Sequence, residues 1–320
     1  MPETPEARGA KKHQEHFFAE LDETGLGAVD AVADSGAPST LWSEAWRKLR
    51  RQPLFWISAF LIVFVITVAL FPNLFTSQNP RYCLLQNSLG PAEAGHPFGF
   101  DRQGCDVYAR VIFGARPSVA VGVLTTILVT ILGTAIGATA GFLGGWLDSV
   151  LSRITDIFFA IPLVLAAIVL MSLFSGRRGV ITVVLVMAAF GWTSIARISR
   201  GSVMSVRNND YVTAARSLGM SRPAILLRHV LPNAAAPIIV YATVALGTFI
   251  VLEATLSYLG VGLPPSVISW GGDISVAQAS LRVRPQVLFY PAGALALTVL
   301  SFIMMGDALR DALDPKVRGR

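Results

Sequence analysis

Long runs without charge set the main constraint on how this chain can fold. Residues 52–80, 117–147, 157–176, 179–196, 230–252, 254–272 and 285–306 contain no Asp, Glu, Lys or Arg. Each run is long enough to cross about 30 Å of hydrocarbon as a helix. The composition agrees, with 53% hydrophobic and 14% charged residues over 320 positions and a mean hydropathy of +0.58. A soluble domain carries about 25% charge, so a soluble globular enzyme is disfavoured. Length alone suggests two soluble domains, but segments that pack side by side in lipid are better counted as one membrane domain with a tail.

Six of the runs read as spans, giving an all-α membrane protein: about Leu54 to Phe71, within Ser118 to Phe142, Ile157 to Phe174, Val180 to about Ile198, Pro237 to about Leu256, and Val287 to about Gly306. The run 254–272 is set aside as an external loop. Its Gly260, Gly262, Pro264, Pro265, Gly271 and Gly272 would strand backbone groups in lipid unless protein covered them. With the N-terminus inside, the inner segments hold eighteen Lys and Arg and the outer ones eight, which predicts an N-in, C-in arrangement. Trp46, Arg47, Lys48, Arg50 and Arg51 ahead of the first span make the aromatic and basic anchor expected on a cytoplasmic face. The net charge of +6 is scattered between apolar runs and forms no stripe, so it speaks for orientation and against a nucleic-acid partner. Residues 1–52 are expected to be a largely disordered cytoplasmic tail, with no basic region running directly into an apolar stretch as a signal peptide would have. Residues 53–317 form the membrane domain, with an external loop over 72–117 and an inner loop over 199–236.

Within the spans a few residues invite a role. Gly133, Gly137, Gly141 and Gly145 recur every four positions, share one helix face, and are predicted to let a second backbone approach closely. Pro162 is placed to kink the third span. The inner loop holds a predicted short helix from Asp210, as cap, through Tyr211, Thr213, Ala214 and Ala215 to Gly219, then a second helix near Ser221 and Pro223. A rigid protrusion that transmits force and an interfacial helix held by anionic lipid both fit that pattern. Glu253 is the one acid embedded in apolar sequence, and an intramembrane carboxylate is a functional hypothesis by default. It either meets the amine of a substrate or pairs with Arg110 or Arg116. No phosphate-cradling Gly-x-x-x-x-Gly-Lys-[Ser/Thr] occurs, and His13, His16, His96 and His229 are too dispersed for a metal site.

The inner loop resembles the "EAA" loop of permease subunits in binding-protein-dependent ABC importers, through Ala214, Ala215, Gly219, Val230, Leu231 and Pro232. Thr213 stands at the position of the Glu. The match narrows to the C-type permease of dipeptide and oligopeptide importers through His96-Pro-Phe-Gly-Phe-Asp101, Gly104-Cys-Asp106, Arg110 and Gly114-Ala-Arg116. Glu253-Ala-Thr-Leu-Ser-Tyr-Leu-Gly260, Ser269-Trp-Gly271 and Gly306-Asp-Ala-Leu-Arg310 continue it, so that it covers about residues 45–317. Phe100 and Cys105 replace the Thr and Arg usual there. Cys105 thereby offers a partner to Cys83 in what is expected to be an oxidising compartment, and a bridge between them would contribute about 3 kcal/mol by loop entropy.

The resemblance implies a six-helix, type I ABC importer permease in the cytoplasmic membrane of a bacterium, moving peptides through a pathway of which this chain forms half. It implies a homologous B-type permease, two ATPase subunits gripping Asp210 to Pro232, an extracytoplasmic peptide-binding protein, and membrane lipid as surroundings. No cofactor is expected on this chain, since ATP and Mg belong to the ATPases. A permease for nickel or a metal chelate shares the same motifs. From other classes, a membrane-embedded enzyme would need a polar catalytic set inside the spans, where only Glu253 is available, and a passive channel would show flux without a nucleotide-hydrolysing partner.

Overall fold

The computed structural model describes residues 41–313, so the tail over 1–40 lies outside the described residues. At the end of the expected tail, Leu41–Leu49 form a helix, α1. Ala45 and Leu49 on one face of α1 are buried against Ala308 and Ala312, while Trp46 sets its ring edge-on to Phe55 at 5.9 Å.

Helix α2 (Pro53–Leu70) starts on a proline, whose fixed φ and missing N–H suit a first turn. Helix α3 runs over Val107–Leu143, and Asp106 caps it by accepting from the N–H groups of Tyr108 and Ala109. Within the expected 72–117 loop, Arg110, Gly114 and Arg116 are therefore helical. At about 1.5 Å per residue the 37 residues of α3 reach roughly 55 Å, which separates two ends of the molecule. One carries the Cys83–Cys105 bridge and the other the inner loop.

The kink expected at Pro162 in the third span is a full break. Helices α4 (Gly145–Ala160) and α5 (Leu163–Leu173) meet at a 79° bend. Pro162 lacks the N–H that a helix needs and crowds the residue before it, so Ile161 is extended at φ −83°, ψ 120°. Helix α6 follows over Val180–Val206, then α7 (Asp210–Ser217) and α8 (Arg222–Ile225). A π turn over Leu226–Val230 joins α8 to α9 (Leu231–Tyr258). Helix α10 (Trp270–Ala277) precedes α11 (Gln286–Leu313). Among the described residues, five helices are long and apolar enough to cross a membrane, or six if the bent pair is one span.

The run over 254–272 does not make a span. It leaves α9 at Tyr258 and folds back against protein. Trp270 is buried, its indole Nε1 donating to the Val111 carbonyl at 2.8 Å and its backbone N–H to Ser118 Oγ at 3.2 Å. A Cβ on Gly271 would come within 2.7 Å of the Ala254 carbonyl oxygen, so only glycine fits that crossing.

Helices α3, α5, α6 and α9 enclose the main core, with Val121, Val129, Met171, Met187, Ile195 and Leu256 fully or almost fully buried. The closest approach lies between α3 and α6. A Cβ on Gly133 would stand 2.7 Å from the Trp192 carbonyl oxygen, one on Gly141 2.7 Å from that of Arg200, and one on Gly137 closer still to Ala196. Gly145 does not belong to this face. Helix α3 ends at Leu143, and Gly144 and Gly145 reverse the chain with φ of +67° and +62°, leaving nothing within 4 Å of a Cβ on Gly145. Its glycine serves the turn, a left-handed conformation that other residues resist.

At the bridge end, Cys83 and Cys105 are bonded to each other. The Leu84 N–H donates to the Gly104 carbonyl at 3.1 Å beside them. Phe98 stacks on Tyr290 with centroids 3.9 Å apart, tying the loop to α11.

Two tests follow from the packing. Gly137→Ala should lower stability by about 2 kcal/mol through overpacking, whereas Gly201→Ala, on the same helix pair but facing open space, should cost nothing. Thermal midpoints in detergent compare them. Without reductant the folded chain should take up no thiol label, and the double Cys83→Ser, Cys105→Ser variant should unfold more easily, by about 3 kcal/mol.

Candidate functional site

The inner-loop helices form a compact base with an apolar tip. Asp210 is the first residue of α7, not its cap. Asn209 stands at the cap, and its carbonyl accepts from Val212 and Thr213 at 3.0 and 3.1 Å. Gly219, at φ +78°, turns the chain out of α7 while the Met220 N–H donates to the Ala215 carbonyl at 3.2 Å. Ser221 flanks α8 and Pro223 lies in its first turn.

Val212 and Ala215 are buried in a cluster with Ala138 of α3, Val203 of α6, and Ile225, Val230 and Ala234. Ala215 is thus part of the base and cannot touch a partner. The exposed face consists of Asp210, Tyr211, Thr213, Ala214 and Gly219, with Pro232 also exposed and Leu231 half-buried. Leu218, just past the last residue of α7, is 84% exposed, an apolar side chain uncovered at the tip. Its exposure was not readable from spacing, which continues the buried series Val212, Ala215 onto it.

Ion pairs hold this end of the bundle. Arg200 grips Asp148 of α4 with two bonds of 2.6 and 2.8 Å, and Arg207 donates to the Gly141 carbonyl at 2.5 Å. Arg197 bonds Asp156 at 2.7 Å while its guanidinium lies over the Phe159 ring at 3.8 Å. Between these pairs and the core, the α4–α5 bend opens a cavity of about 270 Å³ beside Phe158, Pro162, Phe190, Tyr241 and Phe249. The spans' composition gave no sign of these lining residues.

At the other end the expected partners of Glu253 are engaged elsewhere. Arg110 bonds Asp273 of α10 through Nε at 3.0 Å and through Nη2, with Asp101 at 3.8 Å on its other side. Arg116 donates to the last carbonyls of α2, to Ala69 at 2.9 Å and Leu70 at 2.8 Å. Glu253 is 0% exposed, and no arginine pairs with it among the described residues. Its Oε1 accepts from Ser257 Oγ at 2.8 Å, and that hydroxyl in turn accepts from the Leu263 N–H at 3.1 Å. Glu253 therefore pins the returning segment to α9. Burial pushes the Asp273 carboxyl above the usual carboxylate range, against the pull of Arg110. Among the described residues no His, Cys, Asp or Glu group is arranged to hold a metal.

A helical bundle with five or six candidate spans, a paired-helix protrusion at one end and a disulfide-closed loop at the other is consistent with a membrane transport permease. Residues 133–319 match the family of binding-protein-dependent transport system inner membrane components. Residues 40–91 match the N-terminal TM domain of oligopeptide transport permease C. The chain belongs to the binding-protein-dependent transport permeases. It is 38% identical over 291 residues to the oligopeptide transport system permease protein OppC of Bacillus subtilis (strain 168), covering 91% of this chain and 95% of that one. It is 39% identical over 282 residues to the glutathione transport system permease protein GsiD of Shigella flexneri serotype 5b (strain 8401), covering 88% and 92%. In fold it resembles an inward facing conformation of the MetNI methionine ABC transporter, with a TM-score of 0.54 at 18% identity over 64% of this chain and 96% of that one. The fold is that of a type I ABC importer permease, and the family is that of inner membrane components of transport systems.

The two buried acids at the bridge end should respond differently to neutralisation. Asp273→Asn strips Arg110 of its main partner and should cost about 3 kcal/mol. Glu253→Gln keeps an acceptor for Ser257 and leaves no arginine unpaired, so it should stay within about 1 kcal/mol of wild type. Yield of folded protein and thermal midpoint separate the two.

Proposed function

We infer that this chain is the permease subunit of an ATP-driven importer that carries di- and oligopeptides across the cytoplasmic membrane of a bacterium. It forms half of the pathway beside a homologous B-type permease. The spans run N-in and C-in, so that α7 and α8 face the cytoplasm and the bridged loop faces outward, in agreement with the Lys and Arg balance. An extracytoplasmic binding protein delivers peptide at the bridge end. Two ATPase subunits, which hold ATP and Mg, grip α7 at the other.

The observation that carries this reading is Leu218, exposed at the tip of a helix whose base is locked into the bundle by Val212 and Ala215. A groove on a soluble subunit can hold such a tip, and a push on it passes to α3 and α6 because the base cannot yield separately. Transport then needs two packed arrangements separated by a few kcal/mol, whose populations ATP binding shifts. The peptide cargo is supported by the oligopeptide permease segment over 40–91 and by relatives named for oligopeptide and glutathione transport.

Leu218→Cys tests the reading, because the bonded native cysteines give no background. In intact cells the new thiol should resist membrane-impermeant reagents added outside, and a short bifunctional reagent should join it to an ATPase subunit. Labelling from outside would overturn the orientation. Uptake of a nickel chelate, with no peptide uptake, would reassign the cargo.

A further inference from the structure

A cavity of about 500 Å³ opens at the bridge end, bounded by the loop over 79–81, by α3, by the start of α6, and by the returning segment near Val267. Its floor is apolar, made by Phe113, Pro117, Val180 and Ile268, and Arg81 and Arg116 stand on its wall. Ligand sites are commonly of this size and kind, mostly apolar with a few convergent polar groups.

No carboxylate of the described residues pairs with the arginines of that wall. Arg81 donates through Nη2 to the Ser266 carbonyl at 3.0 Å, and Arg116 through Nε and Nη2 to the carbonyls of Ala69 and Leu70. All three acceptors are neutral, none of the described residues lining the cavity is acidic, and neither arginine forms an ion pair among the described residues. Each guanidinium keeps free N–H donors from its five. Arg178, two residues before the floor residue Val180, donates through Nη1 to the Gly260 carbonyl at 2.8 Å, and its buried Nε has no partner among the described residues. The backbone thus fixes the positions of these cations while leaving their charge for something else.

We propose that this cavity receives the C-terminal end of the transported peptide, with its carboxylate on Arg81 and Arg116 and its last side chain on the floor of Phe113, Pro117, Val180 and Ile268. The planar fork of a guanidinium matches a carboxylate, and no carboxylate of the described residues already occupies either arginine. The inference rests on the peptide-importer reading and names the part of the cargo that the outward end recognises. It also places substrate recognition at Arg116, which does not pair with Glu253.

The test uses the whole importer in proteoliposomes, with the binding protein saturated in turn by a labelled tripeptide and by the C-terminal amide of that tripeptide. Wild type should move the acid about tenfold more efficiently than the amide. Arg81→Gln and Arg116→Gln should bring that ratio toward one by slowing the acid far more than the amide. Because Arg116 also holds the end of α2, co-purification of the subunits is checked for that variant. Arg81→Gln, which loses a single bond to a loop carbonyl, decides the matter if Arg116→Gln fails to assemble. An unchanged ratio in Arg81→Gln overturns the proposal. Equal loss of acid and amide also overturns it, and assigns the arginines to docking an acidic face of the binding protein. Wild-type uptake of neither tripeptide, with the partners present, overturns the peptide reading and this proposal with it.

Discussion

The contact of α3 with α6 along Gly133, Gly137 and Gly141 organises the rest of the bundle. In lipid no hydrophobic drive pulls helices together, so association depends on how closely two backbones can approach. A side chain at any of the three positions would strike the backbone between Trp192 and Arg200. Once the two helices touch, Arg207 reaches the Gly141 carbonyl, Arg200 reaches Asp148 across the turn at Gly144 and Gly145, and Val203 meets Ala138. Those contacts make the floor on which α7 rests. The protrusion is rigid because the glycine contact beneath it is close.

The two ends of the bundle use charge in different ways. At the α7 end carboxylates and guanidiniums pair across helices, Asp148 with Arg200 and Asp156 with Arg197, and so stitch the bent α4–α5 segment to α6. At the bridge end Arg110 binds α10 through Asp273, but Arg81, Arg116 and Arg178 rest on backbone carbonyls. A carbonyl orients a guanidinium without cancelling its charge. The outcome is an ion-paired framework at one end and a positively charged cavity at the other.

Much of the helical pattern was legible in the residues. The uncharged runs located α2, α6, α9 and α11 to within a few residues at one end or the other, and the glycine and proline content of 254–272 marked it as no span. Boundaries that depend on capping were less visible. Asp106 starts α3 well before its apolar run, carrying Arg110 and Arg116 from a loop onto a helix. Pro162 announced a kink, yet the size of the bend depends on what α4 and α5 pack against. Gly145 fits a four-residue series perfectly well by spacing, but the helix stops at Leu143 and the series stops with it.

The partners of charged groups were the least legible. Glu253, Arg110 and Arg116 are the conspicuous charges near one membrane edge, and pairing them is the natural expectation from a one-dimensional pattern. The structure gives Glu253 to Ser257, Arg110 to Asp273 and Arg116 to the end of α2. Apolar length, glycine spacing and the order of motifs were fixed by the amino-acid sequence alone, because hydrocarbon thickness and backbone approach act on short stretches. Which charge meets which, which face of α7 is buried, and where a cavity opens were decided by tertiary packing. Those outcomes depend on residues far apart in the chain, whose distances follow from how every helix is placed.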